Sequence, residues 1–140
     1  MSGPAAESSY EPPSWMELSG EQYRRVLNRE AVAVTKRDQK RGGSYRVKEA
    51  LDALHLAFHR SDGRDPYDGL PMDARSLFPS ASGGMSSLRC PAVGHRQQSP
   101  VADFEVLSQQ TRQAKGAMTG EDYLTHCQAV VDHAKQMGRI

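Results

Sequence analysis

Five histidines are the side chains best suited by type to acid–base chemistry near neutral pH, because the unperturbed titration of imidazole falls in that range. Their settings differ. His55 and His59 stand four apart in His55-Leu56-Ala57-Phe58-His59, a helical spacing that can hold a metal, but the glutamate of a zinc-protease helix is missing. They flank an apolar stripe and read as boundary residues, as do His126 and His133, seven apart. His95 follows a short apolar run, Pro91-Ala92-Val93, and stands between Gly94 and Arg96 in a loop-rich stretch of the kind where function concentrates. Cys90 and Cys127 belong to no C-x-x-C pair and are too few for an all-cysteine zinc site; without secretory context they read as two reduced thiols. No G-x-S-x-G elbow, P-loop or G-x-G-x-x-G is present, which leaves serine-hydrolase and nucleotide-cofactor chemistry without a motif. Asp62, Asp65, Asp68 and Asp73 are dispersed over turns marked by Gly and Pro, where aspartate bonds its own backbone, and do not form a catalytic pair.

Charge supplies the second signal. The chain is nearly balanced, at +1, yet Arg24 to Lys48 holds nine bases against two acids. A basic stripe on a helix is the electrostatic footprint of a phosphate-backbone binder. The alternatives are a solvated helix face or a surface for an acidic protein. Only Tyr23 and Tyr45 interleave with these bases, so stacking on single-stranded bases is not indicated.

The elements that must position these groups follow from spacing. With 140 residues, of which 23 are Leu, Ile, Val or Phe, the chain has room for one small core. Ser19 and Gln22 form a capping-box signature, and Tyr23, Val26, Leu27, Ala31 and Val34 then predict a helix from Gly20 to Lys40, stopped by Gly42-Gly43. Ser44 is the N-cap expected for a second helix carrying Val47, Leu51, Leu54 and Phe58 and ending near Arg60. Asp65 to Asp73 reads as a rigid loop. Two short strands are expected at Cys90–His95 and Phe104–Leu107, then a helix over Ser108–Gly116. Thr119 and Asp122 begin a last helix whose apolar face is Tyr123, Leu124, Cys127, Val130, Val131 and Ala134. The expectation is an α+β, helix-rich single domain over 19–140, with a small β-hairpin packed on N- and C-terminal helices, behind a disordered tail over 1–18. No run approaches the roughly 20 apolar residues of a membrane span, and four acids with no base before residue 22 are unlike a signal peptide, so a cytoplasmic protein without a membrane partner is expected.

Four segments in order carry a family likeness. Tyr67-Asp68-Gly69-Leu70-Pro71-Met72-Asp73, Pro91-Ala92-Val93-Gly94-His95, Asp103-Phe104-Glu105-Val106 through Thr111-Arg112-Gln113-Ala114-Lys115, and Met118-Thr119-Gly120-Glu121-Asp122-Tyr123-Leu124 with Cys127 resemble the small bacterial HNH-type proteins of the ββα-metal nuclease fold. The resemblance covers roughly Gln22 to His133. It implies that His95 is a general base for the water that attacks a phosphodiester, that Lys115 is the lysine of an Asn-x-x-Lys segment, and that Asp103 lies near the position that orients the histidine. It also implies a divalent cation, Mg or Mn, on the scissile phosphate. Two positions depart from the pattern: Gly94 stands where an Asp ligand is usual, and Arg112 where Asn or His completes the metal site. Glycine has no ligand atom, and at an effective dielectric of about 20 two unit charges some 4 Å apart repel by roughly 4 kcal/mol, more for a divalent ion. The expectation is therefore a catalytically degenerate HNH-like protein that binds nucleic acid, in first place DNA, through Arg24, Arg25, Lys36, Arg37, Lys40, Arg41, Arg96 and Arg112. The alternatives are an active metal-dependent endonuclease using His95, Asp103 and Lys115, and a protein–protein interaction module.

Overall fold

In a computed structural model of the chain, which describes residues 10–78 and 87–140, Ser19 caps the first helix as its spacing predicts. Its Oγ accepts the Gln22 N–H at 3.1 Å, and the Gln22 side-chain oxygen accepts the Ser19 N–H at 3.0 Å. This helix, α1 (Gly20–Lys40), ends where Gly42 turns to φ 92° and the Gly43 N–H returns to the Asp38 carbonyl at 2.8 Å. Its buried face, Tyr23, Val26, Leu27, Ala31 and Val34, meets Ala50, Leu54, Ala57 and Phe58 of α2 (Val47–Arg60). The N-cap of α2 is Arg46, not Ser44. Tyr45 explains the shift: its ring is drawn into the core and its hydroxyl donates to Asp38, which keeps the chain extended past Ser44.

Strands β1 (Pro91–His95) and β2 (Phe104–Ser108) form an antiparallel hairpin with Val93 opposite Val106 and His95 opposite Phe104. Alternation sends Val93, Phe104 and Val106 into the core beneath the two helices, and leaves Gly94 and Glu105 on the other face. Directly after β2, the short helix α3 (Gln109–Lys115) folds back on both strands. Its N-cap is Ser108, whose Oγ accepts the Thr111 N–H at 3.1 Å. Ser108 is itself held from the 65–73 loop: its N–H and hydroxyl both donate to Asp65 Oδ2, at 2.8 and 2.6 Å. Asp65 Oδ1 accepts the N–H groups of Tyr67 and Asp68, so one buried carboxylate fastens the loop and caps the hairpin-to-helix junction. Arg89 closes the other side of that loop through a bidentate contact with Asp68 at 2.8 and 3.2 Å. The fold is thus α+β and helix-rich, as expected.

Two expectations about the ends of the chain require correction. The tail expected over 1–18 lies outside the described residues only as far as residue 9. From Tyr10 onward it packs: Tyr10, Pro13 and Met16 are buried, the Tyr10 hydroxyl meets Asp52, and Trp15 Nε1–H donates to the Phe58 carbonyl at 3.2 Å. An aromatic, a methionine and a tryptophan within seven residues bury enough apolar area to order a segment of low average hydropathy. Conversely, α4 (Gly120–Gln136) has no buried residue. The core it was expected to fill is occupied by Tyr10 and Met16, and the outer face of the hairpin by α3; in the first turn of α4, Tyr123 packs edge-on to Tyr67 with ring centroids 5.6 Å apart. The middle of the Ser-, Gly- and Pro-rich stretch over Phe78–Pro100, residues 79–86, lies outside the described residues.

Candidate anion-binding cleft around His95

His95 ends β1, and its position there is fixed from α1. Its Nε2 lies 2.6 Å from Asp38 Oδ2, its ring packs against Phe104 at 5.3 Å between centroids, and its side chain is one-fifth exposed. Asp38 is 1 % exposed and accepts at the same oxygen from the Tyr45 hydroxyl at 2.5 Å. Burial, with the adjacent Asp38 carboxylate, pushes the Tyr45 phenol above its ordinary range, so it is a proton donor to Asp38 throughout physiological pH. The second carboxylate oxygen, Oδ1, is buried without a hydrogen bond among the described residues and has Arg41 Nη1 at 3.5 Å. Asp38 leaves Nδ1 of His95 as the ring nitrogen it does not engage.

A cleft of about 530 Å³ opens at this point along the outer edge of β1. Arg37 of α1 and Arg41, its C-cap, reach the cleft from one side, and Arg112 and Lys115 from α3, while Asp38 is the one carboxylate in its lining among the described residues. Arg112 Nε–H donates to the Val93 carbonyl on the open edge of β1 at 3.1 Å, and this orients its guanidinium toward the cleft. Lys115 is buried, with Nζ 3.9 Å from Glu105 Oε2. Burial pushes the Glu105 carboxyl up, while the hydrogen bond from the Tyr67 hydroxyl and the charge of Lys115 oppose that rise. The far wall is the 96–103 loop, tied to α1 where Arg41 Nη2 donates to the Gln98 carbonyl at 3.1 Å.

Of the residues singled out in the sequence, His95, Arg37, Arg41, Arg112 and Lys115 come together. Asp103 does not join them. Its carboxylate is taken by Arg96 at 3.4 Å and Gln97 at 3.0 Å, because the β1–β2 loop folds on itself, and the carboxylate that holds His95 is Asp38. Arg96 faces a second hollow on the β2 side, shared with Arg60 and Arg64. Arg24 and Arg25 lie at the far end of α1 and are paired with Glu11 and Glu21. Lys36 and Lys40 are exposed on α1 and do not line the cleft. Asp38, Tyr45 and Asp65 were missed as site residues. For Asp38 a signal existed: it follows Ala31 and Val34 at helical spacing, an acid on the buried stripe.

The side chains present do not suit a divalent cation. At Gly94 the position of an added Cβ points at Leu107 Cδ2, 3.2 Å away, and no ligand atom exists. Four cationic side chains share the cleft, and the Asp38 oxygen facing His95 is already occupied by two donors. Among the described residues no group of three or more His, Cys, Asp or Glu side chains could hold a metal. The arrangement is one that lowers the energy of an anion: guanidinium and ammonium groups around a concavity in which Asp38 is the one carboxylate among the described residues. No family model matches the chain, and no match to it was found among the curated proteins or the solved structures.

Proposed function

We propose that the chain is a catalytically degenerate HNH-like protein that binds nucleic acid, DNA in first place, by seating a backbone phosphate in the His95 cleft without a metal. The observation that carries this reading is the convergence of Arg37 and Arg41, at the end of α1, with Arg112 and Lys115 of α3 on a cleft whose one carboxylate among the described residues, Asp38, is hydrogen-bonded to His95 and Tyr45. Guanidinium groups bind phosphate oxygens with charge-assisted, often bidentate hydrogen bonds, and each phosphate neutralised releases counterions. Lys36 and Lys40, on the exposed side of α1, extend the positive surface beyond the cleft.

A second reading, an active endonuclease, is favoured by one specific contact. A carboxylate bonded to one nitrogen of an imidazole fixes its tautomer and leaves the other nitrogen to exchange protons, as a general base requires. Nicking of supercoiled plasmid, measured with Mg²⁺, with Mn²⁺ and with chelator beside His95→Ala, separates the two. The degenerate reading expects no cleavage above that of His95→Ala under any condition, in protein that retards the plasmid on a gel. Metal-dependent nicking abolished by His95→Ala would replace it with the endonuclease.

A further inference from the structure

The last helix carries an apolar face that, apart from the contact of Tyr123 with Tyr67, stays unburied among the described residues. Tyr123, Cys127, Val130, Ala134 and Met137 recur at alternating intervals of four and three, the seam of a two-stranded helical pair, and Leu124 and Val131 flank it. Leu124 and Val130 are each 54 % exposed and Met137 is 58 % exposed, values at odds with a helix that belongs to a closed core. The same helix is electrostatically polar along its length. Glu121 and Asp122 occupy its first turn, His133 and Lys135 its last, and Arg139 follows. Asp132, the one acid of the second half, is bonded to Gln128 at 2.8 Å.

We infer that α4 is the surface through which two copies of this chain associate, seam to seam and antiparallel about a two-fold axis near Cys127. The charges choose the occupant. A parallel pair would set Glu121 and Asp122 against their own copies and align the two helix dipoles unfavourably. An antiparallel pair sets the acidic start of each helix beside the basic end of the other and opposes the dipoles. A helix with opposite charge at its ends is complementary to itself in that one orientation, which is the condition an isologous interface must satisfy. The midpoint of Gly120–Gln136 is Gln128, so the axis brings Cys127 close to Cys127 of the second copy. Seventeen residues at 1.5 Å each give a contact about 25 Å long, small for an interface, and the dimer is accordingly weak, with a dissociation constant on the order of micromolar.

Sedimentation velocity of the full chain from about 1 to 500 µM, a range bracketing that affinity, is the test, repeated with Leu124→Glu/Val130→Glu. The expected result is a monomer–dimer equilibrium in the wild type, weakened by salt, and a monomer throughout in the double variant. No α4 side chain is buried, so the variant keeps its circular dichroism and melting temperature. A short bismaleimide is expected to link the wild type into covalent dimers and to leave Cys127→Ser unlinked, since Cys90 is buried. A chain that stays monomeric at the highest concentration overturns the inference, as does a dimer that persists in the double variant. Capture of a different protein by α4, with the chain itself monomeric, would likewise overturn it.

Discussion

Asp38 and His95, 57 residues apart, meet at 2.6 Å and join the end of α1 to the end of β1. Through the same oxygen Asp38 holds Tyr45, so one buried carboxylate locks three segments around the cleft. Asp38→Asn is expected to cost about 1–3 kcal/mol of stability, because the imidazole and the phenol lose a charged acceptor. Tyr45→Phe should cost about 1–2 kcal/mol, because the buried Asp38 carboxylate then loses a donor. Removing the cleft's one carboxylate should leave DNA affinity unchanged or raise it. Urea denaturation and duplex titration of the same samples check both halves; an Asp38→Asn protein of full stability would contradict the locking role.

Acid stability should report Asp65. Its burial alone would raise the carboxyl, but hydrogen bonds from the Ser108 hydroxyl and N–H, with Thr111 and the Tyr67 N–H, outweigh it and hold the group at about 2, below the ordinary 3.8. A depressed folded value stabilises the native state above the unfolded value, and that contribution disappears as pH falls from about 4 through about 2. It amounts to about 2 kcal/mol at neutral pH. In Asp65→Asn this part of the pH dependence should be missing, with a lower stability at pH 7 and a flatter curve of unfolding free energy between pH 5 and about 2. A variant whose acid limb overlays the wild type would contradict it.

Gly43 should tolerate no side chain. A Cβ there would lie 2.8 Å from the Pro100 carbonyl oxygen and 2.9 Å from that of Asp38, both backbone atoms that cannot swing away. Gly43→Ala is expected to destabilise by about 1–3 kcal/mol and to loosen the packing of the 96–103 loop on α1. At Gly42, where nothing lies within 4 Å but φ is 92°, alanine should cost about 1 kcal/mol through backbone strain alone. Comparing the two melting temperatures separates close approach from conformation; equal shifts would contradict the distinction.

The limits of α1 were legible because capping and termination are local: Ser19 with Gln22 and the Gly42-Gly43 pair act within four residues of the ends they set. The two strands and the helix after them were legible as short local runs, although the Ser108 cap was not read. Tyr45 defeated the reading of α2, since what moved its start from Ser44 to Arg46 is a bond to Asp38 on another helix. Asp65 looked like a turn aspartate and is one, through Tyr67 and Asp68. Its second oxygen reaches Ser108, 43 residues away, which no local pattern encodes. At the site, the cations of the basic stretch were visible but not their division, because pairing with Glu11 and Glu21 neutralises one end of α1 while the other end faces the cleft. Periodicity found the apolar face of α4 and could not say whether the fold itself would cover it.

The most direct measurement is the salt dependence of duplex DNA binding in the presence of chelator, for the wild type and for Arg41→Gln/Arg112→Gln. The account predicts binding without metal at about 20 mM salt, a linear fall of log affinity with log salt concentration, and a slope shallower by about 2 in the double variant, at roughly 0.9 for each phosphate no longer neutralised. Absence of binding at low salt, or a double variant with the wild-type slope and an unchanged melting temperature, would contradict the assignment of the His95 cleft to nucleic-acid phosphate.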